Sequence, residues 1–199
     1  MRRLSGVRVV VVDDALFQRL AGTESSQGVI ALVRPPVWTL EQLFRGRALV
    51  VVLDGVQDPG NAGAIARSAE AFGGTGILCT KGTVSLYNHK ALRASAGSLL
   101  RIPFVHGLDS TLARAALRQN KLDVYAAAPH APGRRSLADA DLTRKCALVV
   151  GSEGRGISEA LRSGAADLAI PTLGVESLNA AVAAGILLYE ARRQRSLRP

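Results

Sequence analysis

The chain has 199 residues, a length that suits one domain of ordinary size with a short appendage. Hydrophobic residues make up 48% and charged residues 21%, a balance that allows a packed core and argues against wholesale disorder. The formal net charge of +9 comes from 25 Lys and Arg against 16 Asp and Glu. Such a surplus favours a polyanionic partner such as nucleic acid, although solubility and an arginine-rich codon bias explain it as well.

Cysteine usage and hydropathy exclude several classes of protein. Cys79 and Cys146 lie in or beside apolar runs and form no C-x-x-C pair, which predicts buried, reduced thiols and no metal site. The apolar run at residues 9–12 is too short for a signal peptide, and the longest one, 180–189, is too short for a membrane span. We therefore expect a soluble, cytoplasmic protein.

Short apolar runs alternate with helical patterns along the whole chain. Predicted strands span residues 7–12, 29–33, 48–53, 76–79, 122–127, 147–150 and 168–170, and predicted helices about 61–72, 89–100, 109–120, 157–163 and 177–194. The run ALVVVL at 48–53 has no polar residue, which predicts a strand buried on both faces of a parallel sheet. The alternation predicts an α/β fold, a mostly parallel sheet with helices on both faces.

A boundary is predicted at Arg34-Pro35-Pro36, because consecutive prolines favour an extended linker. Residues 1–33 hold two predicted strands and one short helix, which is too little for an independent domain. We therefore divide the chain into an appendage with its linker, residues 1–36, and a main domain, residues 37–199.

The first segment that could carry chemistry is LDGVQDPGNAGAIARSAEAFGG, residues 53–74. A buried strand ends in a loop, and a helix with an apolar stripe begins near Asn61. Arg67 lies nearly opposite that stripe, and Asn61 is placed to cap the helix or to bind a ligand. An ordinary N-cap and a solvated arginine are the simpler interpretation. However, open parallel sheets bind ligands at the carboxyl ends of their strands.

The second segment is ALVVGSEGRGIS, residues 147–158, in which an apolar strand runs into a glycine-rich loop. The glycines permit tight turns and close approach to a ligand, but the loop is neither G-x-G-x-x-G nor a P-loop. A ligand-free turn from strand to helix is an equal alternative. Glu153 would be held near whatever the loop binds. A further loop at 129–133, followed by Arg134 and Arg135, is a candidate surface contact.

The third segment, residues 169–194, contains a strand that ends at Pro171, a short loop and the last helix. Ser177 is the predicted N-cap of a helix that is apolar almost all round from 180 to 188 and is therefore predicted to be buried. Ser177 and Asn179 are polar exceptions at its start. Capping is the common role of such residues, and a helix N-terminus beside a strand end is also a natural ligand site.

In this order, the three segments resemble the signature motifs of the SpoU (TrmH-like) family of SPOUT RNA 2′-O-ribose methyltransferases. Asn61, Gly63 and Arg67 match the N-x-G-x-x-x-R of its first motif. The other two motifs are matched by Gly151, Glu153, Gly154, Ile170, Pro171, Ser177, Leu178 and Asn179. Residues 87–104 also resemble the middle of the catalytic domain in rRNA-directed members. The resemblance covers about residues 46–195, and three linked motifs are far more specific than one.

The sequence departs from the family pattern in two places. The loop between Pro171 and Ser177 is about one residue short, and Thr172 stands where the family usually has Met. Residues 1–33 resemble only the last part of the family's small N-terminal RNA substrate-binding domain, with SSQGVIALV matching its closing strand. Residues 1–36 are therefore predicted to be a remnant of that domain plus a linker.

The resemblance implies transfer of a methyl group from S-adenosylmethionine to a ribose 2′-hydroxyl of structured RNA, with 23S rRNA favoured over transfer RNA. The implied catalytic residues are Asn61, Arg67, Glu153, Ser177 and Asn179. The implied cofactor contacts are Gly151, Glu153, Gly154, Ile170, Pro171, Leu178 and Asn179, and the implied RNA contacts are Arg67, Arg93, Arg134 and Arg135. Because an arginine keeps its proton in proteins, we expect Arg67 to orient the hydroxyl and a phosphate rather than to act as a base.

The resemblance also implies a SPOUT-type α/β knot, with a deep trefoil knot at the C-terminus, and a homodimer formed through the last helix. Two other interpretations remain open at this point. One is a non-catalytic RNA-binding or ribosome-assembly protein on the same fold. The other is a nucleotide- or NAD-binding domain, which is disfavoured because no acidic residue lies where a dinucleotide fold would bind the ribose.

Overall fold

The structure is a computed structural model that describes residues 6–21, 26–129 and 135–196. The chain divides into two compact units, Met1–Pro36 and Val37–Pro199. No helix within these described ranges is long and apolar enough to cross a membrane.

The described residues of the first unit contain α1 (Asp14–Ala21), where the sequence predicted a short helix. The two predicted strands of this unit, at 7–12 and 29–33, are wrong, because those residues form no strand. Their side chains are largely exposed: Val9 is 72% and Val29 76% exposed. A strand needs a neighbour for its backbone hydrogen bonds, and the described part of this unit provides none.

The second unit is built on one sheet of seven parallel strands. In chain order the strands are β1 (Leu49–Asp54), β2 (Gly76–Thr80), β3 (Phe104–Leu108), β4 (Asp123–Ala128), β5 (Arg135–Ser136), β6 (Cys146–Gly151) and β7 (Ala166–Ala169). Across the sheet their order is β3-β2-β1-β6-β4-β7-β5. The parallel sheet is confirmed, whereas β3 and β5 were not predicted, because neither has an apolar run.

Helices cover both faces of this sheet, as predicted. They are α2 (Leu40–Leu43), α3 (Pro59–Ala71), α4 (His89–Ala94), α5 (Ser110–Gln119), α6 (Glu159–Arg162) and α7 (Ala180–Ser196). Val51 of β1 packs into the core under α3, α4 and α7, whereas Val50 and Val52 pack under α2, α5 and α6. Successive strand residues point to opposite faces, so a strand covered on both faces must be apolar throughout.

Three predicted helices differ from the structure in length or continuity. The helix predicted at 89–100 is broken, because Ala96 and Gly97 take positive φ angles of 48° and 86° and a 3-10 turn, Ser98–Leu100, follows. The helix predicted at 157–163 is reduced to the single turn of α6. The last helix begins at Ala180 rather than at 177.

Both cysteines lie in the core as free thiols, as predicted. Burial raises the pKa of the Cys79 thiol to about 12. Burial likewise raises the pKa of Cys146 to about 11, against the opposing effect of nearby Arg195. Both thiols therefore stay protonated at neutral pH and act as small apolar side chains.

Arg195, in the last turn of α7, connects this helix to the amino ends of β1 and β6. Its guanidinium donates to the backbone carbonyls of Leu142 and Arg47 at 2.8 Å and of Ala48 at 3.1 Å. It also donates to the carbonyl of Arg144 at 2.5 Å, and a planar fork with several donors can reach four carbonyls that diverge in this way. The side chain therefore anchors the end of α7 to the sheet.

We expect Arg195→Ala to lower the free energy of unfolding by about 2 kcal/mol, because it leaves carbonyls without their charged donor. Arg195→Lys should recover little, since an ammonium lacks the fork. Urea denaturation can be followed through Trp38, the single tryptophan, which packs against the core. Arg192, exposed on the same helix, supplies the control Arg192→Ala, expected within about 0.5 kcal/mol of the parent. Equal effects of the two alanine variants would contradict an anchoring role.

Candidate functional site

The three motif segments meet at the carboxyl end of the sheet. β1 and β6 are neighbours, and their last residues, Asp54 and Gly151, are partners in the register. The loops that follow these strands, together with the loop between β7 and α7, surround one region. This is the edge at which open parallel sheets bind ligands.

One side chain from each motif takes part in a single hydrogen-bonded cluster. Asn61 Nδ2 donates to Glu153 Oε1 at 2.8 Å, across 92 positions of sequence. Asn179 Nδ2 donates to Asn61 Oδ1 at 3.0 Å and lies 3.5 Å from the same Glu153 oxygen. Three residues that the sequence could associate only through the family resemblance are therefore in direct contact.

The helix caps explain why these side chains are available. Asp58, not Asn61, caps α3, because its Oδ1 accepts from the backbone N–H of Asn61 at 2.6 Å. The predicted cap at Ser177 is also wrong: Asn179 Oδ1 accepts from the N–H of Ala181 at 2.9 Å. The amide of Asn61 is thus directed at the cluster, while Asn179 caps α7 with its oxygen and joins the cluster with its nitrogen.

The glycine-rich loop is closed on itself by an antiparallel bridge. Ser152 N–H donates to Gly156 O at 3.1 Å, and Gly156 N–H donates back to Ser152 O at 2.8 Å. A Cβ added to Gly151 would lie 2.3 Å from the carbonyl carbon of Gly156, so this position accepts no side chain. Gly154 has open space instead. The bridge makes a compact loop that presents Glu153 to solvent and to the cluster.

A cavity of about 210 Å³ lies between this loop, the ends of β4 and β7, and the start of α7. Of the residues predicted to contact a cofactor, Gly151, Glu153, Ile170 and Leu178 line it, and Ser177 lines it too. Gly154, Pro171 and Asn179 do not line it. Most of the remaining wall is apolar and comes from Ala127, Ala128, Val150, Ile157, Leu168, Ala180 and Ala183.

A second cavity, of about 190 Å³, lies on the other side of Glu153. Gln57, Asp58, Asn61 and Arg155 give it a polar wall, and it shares residues 151–153 and Ala180 with the first cavity. The cluster therefore stands at the junction of an apolar and a polar cavity. The sequence analysis did not identify Gln57 or Arg155 as site residues. The only feature that could have indicated them is their position inside the motif loops.

Arg67 does not join the cluster. It is exposed on α3, six positions after Asn61 and about 9 Å further along the helix axis, and it lines neither cavity. Its predicted orientation, away from the core, is confirmed. Arg93 is exposed on α4, which packs against α3. Arg134 and the side chain of Arg135 lie outside the described residues.

Comparison with known proteins identifies the family of this chain. The model of the SpoU rRNA Methylase family matches residues 48–189. The chain belongs to this family. The matched range includes β1, the cluster, both cavities and most of α7.

Relatives of this SpoU family member include a 23S rRNA (guanosine-2′-O-)-methyltransferase of Xylella fastidiosa, 42% identical over 98% of this chain and 81% of its own length. An uncharacterized tRNA/rRNA methyltransferase of Mycobacterium avium is 37% identical over 96% of this chain and 64% of its own length. A SpoU methyltransferase, AviRb, of Streptomyces viridochromogenes, solved with the cofactor AdoMet, is 32% identical, with a TM-score of 0.73 over 81% of this chain and 66% of its own. The chain thus spans less than two thirds of the mycobacterial relative's length.

A buried carboxylate that the sequence analysis missed supports the motif loops of this SpoU member. Asp54 Oδ1 accepts from Thr80 Oγ1 at 2.8 Å and from Ser110 Oγ at 3.3 Å, and its Oδ2 accepts from the N–H of Ser158 at 2.6 Å. Because its backbone is in register with Gly151, Asp54 holds both ends of the loop that carries Glu153. The sequence feature that could have identified Asp54 is its position as the one carboxylate at the end of the apolar run 48–53.

We expect Asp54→Ala to lower the free energy of unfolding by about 2–3 kcal/mol, because it leaves the partly buried N–H of Ser158 without an acceptor. Asp54→Asn should cost less, since its amide oxygen can still accept from that N–H while the hydroxyls of Thr80 and Ser110 turn to accept. Urea denaturation of the two variants measures the difference. Parental stability of the alanine variant would show that the carboxylate does not hold the loop.

Proposed function

We propose that this SpoU family member transfers a methyl group from S-adenosylmethionine to a ribose 2′-hydroxyl of RNA. The observation that carries the proposal is the cluster of Asn61, Glu153 and Asn179 at the junction of two cavities. Methyl transfer needs two reactants held end to end at one point, and positioning of this kind supplies much of the rate. An apolar cavity and a polar cavity with one shared wall suit two such reactants.

The apolar cavity suits the cofactor. Gly151, Ile170 and Leu178 offer backbone groups and apolar surface to an adenosine. The AviRb protein, which shares this fold, was solved with AdoMet. The cofactor would supply a methyl group already activated on a sulfonium. Ser177 and Thr172, in the loop between β7 and α7, place hydroxyl groups beside this cavity.

The polar cavity suits the ribose. Glu153 accepts a hydrogen bond from Asn61 Nδ2 and so fixes the orientation of the Asn61 amide toward a ligand. Asn61 and Asn179 would orient the 2′-hydroxyl, and Glu153 would accept its hydrogen bond. Arg67 would hold the adjoining phosphate with its bidentate fork, keeping the hydroxyl in line with the methyl group.

Ribosomal RNA is the substrate that we propose, in preference to transfer RNA. Relatives matched over nearly the whole chain are named as 23S rRNA (guanosine-2′-O-)-methyltransferases. We place this activity in the cytoplasm. Residues 1–36 would be the remnant of an RNA substrate-binding domain.

We also propose a homodimer through α7 and a trefoil knot formed by the segment that leads into it. Val182 and Tyr189 of α7 are 51% and 56% exposed although the helix is otherwise mostly apolar. Their exposure corrects the expectation that the helix is buried all round, and it favours an interface on that face. The knot is supported by the path from β7 across the site to α7, which packs back against α3 and β6.

Titration calorimetry with S-adenosylmethionine is the direct test. We expect saturable binding to the folded protein, and transfer of a labelled methyl group to ribosomal RNA at sites that resist alkaline cleavage. Binding of RNA without binding of S-adenosylmethionine would contradict the enzyme and favour the non-catalytic alternative.

A further inference from the structure

A surface beside the proposed site is formed by a stretch of chain that is rich in exposed basic side chains. Residues 71–108 contain no Asp or Glu. Arg101 is neutralised by Glu70 of α3, with contacts of 2.6 and 2.7 Å. The other basic side chains of this stretch are all exposed: Lys81, His89, Lys90, Arg93 and His106. With Tyr87, these five residues form what we call the α4–β3 surface.

Aromatic rings lie among these basic side chains. Tyr87 is half-buried and packs against Phe104 in the core, with ring centroids 5.1 Å apart. The exposed ring of His106, on the edge strand β3, meets Tyr87 edge to face at 6.3 Å. Packing against the core holds this pair in place and leaves one ring open to solvent. Aromatic rings beside cations are the arrangement on which single-stranded nucleic acids stack their bases.

The surface is continuous with the proposed site. A Cβ added to Gly63 of α3 would lie 2.3 Å from the carbonyl oxygen of Ala91 and 2.7 Å from the Cβ of Ala94, so α3 and α4 pack closely at this glycine. Arg67 follows Gly63 by one turn on the same side of α3. The exposed cations of α4, Lys90 and Arg93, therefore extend the side of α3 that carries Arg67.

We propose that the α4–β3 surface binds a single-stranded stretch of the substrate RNA next to the target nucleotide. A base stacks on the exposed ring of His106, which Tyr87 holds in place, and phosphates contact Lys90 and Arg93. The inference rests on the proposed function, because it describes how the same RNA is held beyond the reacting ribose. Charge complementarity favours RNA over a protein partner, since RNA is a polyanion and the exposed charges of residues 71–108 are all basic.

The test compares two fluorescein-labelled probes, an RNA hairpin with a single-stranded loop and a blunt RNA duplex. We expect His106→Ala to weaken binding of the hairpin about five- to tenfold and to leave duplex binding unchanged, because only unpaired bases stack on the ring. The double variant Lys90→Ala/Arg93→Ala should weaken binding of both probes. It should also reduce the slope of log affinity against log salt for the hairpin loop by about 1.4.

Arg118→Ala is the matched control, since Arg118 is exposed on α5 at the opposite face of the sheet. Thermal melts check that each variant is folded. Parental hairpin affinity in His106→Ala, or an equal loss in Arg118→Ala, would overturn the inference. Calorimetry with S-adenosylmethionine on the same samples separates the two proposals. If S-adenosylmethionine does not bind but His106→Ala still weakens binding of the hairpin alone, the enzyme proposal is overturned and the RNA surface is supported.

Discussion

Arg67→Ala is expected to slow methyl transfer to RNA about 100-fold, in line with the loss of a positioned catalytic group. The same variant should keep its free energy of unfolding within about 0.5 kcal/mol of the parent. The side chain is exposed and makes no hydrogen bond or ion pair within the described residues, so it adds little to stability. Affinity for S-adenosylmethionine should also stay near the parental value, because Arg67 lines neither cavity.

Two further variants make this expectation sharper. Arg67→Lys should not restore the rate, because an ammonium lacks the planar fork that orients a phosphate. Arg118→Ala removes the same charge from the opposite face and should keep the parental rate. Single-turnover methylation with saturating cofactor gives the rates, and urea denaturation gives the stabilities. A parental rate in Arg67→Ala would show an ordinary solvated arginine, and an unfolded variant would show a packing role.

Gly151→Ala is expected to weaken S-adenosylmethionine binding by more than about tenfold and to lower the free energy of unfolding by about 2–4 kcal/mol. The added Cβ would lie 2.3 Å from the carbonyl carbon of Gly156 and 2.4 Å from its oxygen. These are backbone atoms held by the Ser152–Gly156 bridge, so the loop must open to admit the methyl group. An opened loop displaces Glu153 from Asn61 and one wall from each cavity.

Gly154→Ala is the control inside the same loop. A Cβ at Gly154 meets nothing within 4 Å, so we expect both its stability and its cofactor affinity to stay close to the parent. Calorimetry and urea denaturation of the two alanine variants measure the contrast. Similar losses of stability and cofactor affinity in both variants would show that a side chain anywhere in the loop is harmful. The close contact at Gly151 would then not be the cause.

The sequence by itself determined the class of fold and the family. The apolar run that became β1 had to lie in a sheet covered on both faces, and the stripe of α3 placed Arg67 away from the core. Both are periodic patterns within one segment, and such patterns report which faces of that segment are buried. The order of the three motifs then identified the residues on which the site depends, without showing how they meet.

Only the tertiary structure determined which of these residues are in contact. Glu153 contacts Asn61 because β6, late in the chain, lies beside β1, and strand order is not encoded in the periodicity of either strand. The helix caps are Asp58 and Asn179 rather than Asn61 and Ser177. Several polar residues near the start of a helix can accept from the same N–H groups, and tertiary contacts decide which one does. The valines at 7–12 had the composition of a strand but no partner among the described residues. Apolar composition makes a strand only where another strand accepts its hydrogen bonds.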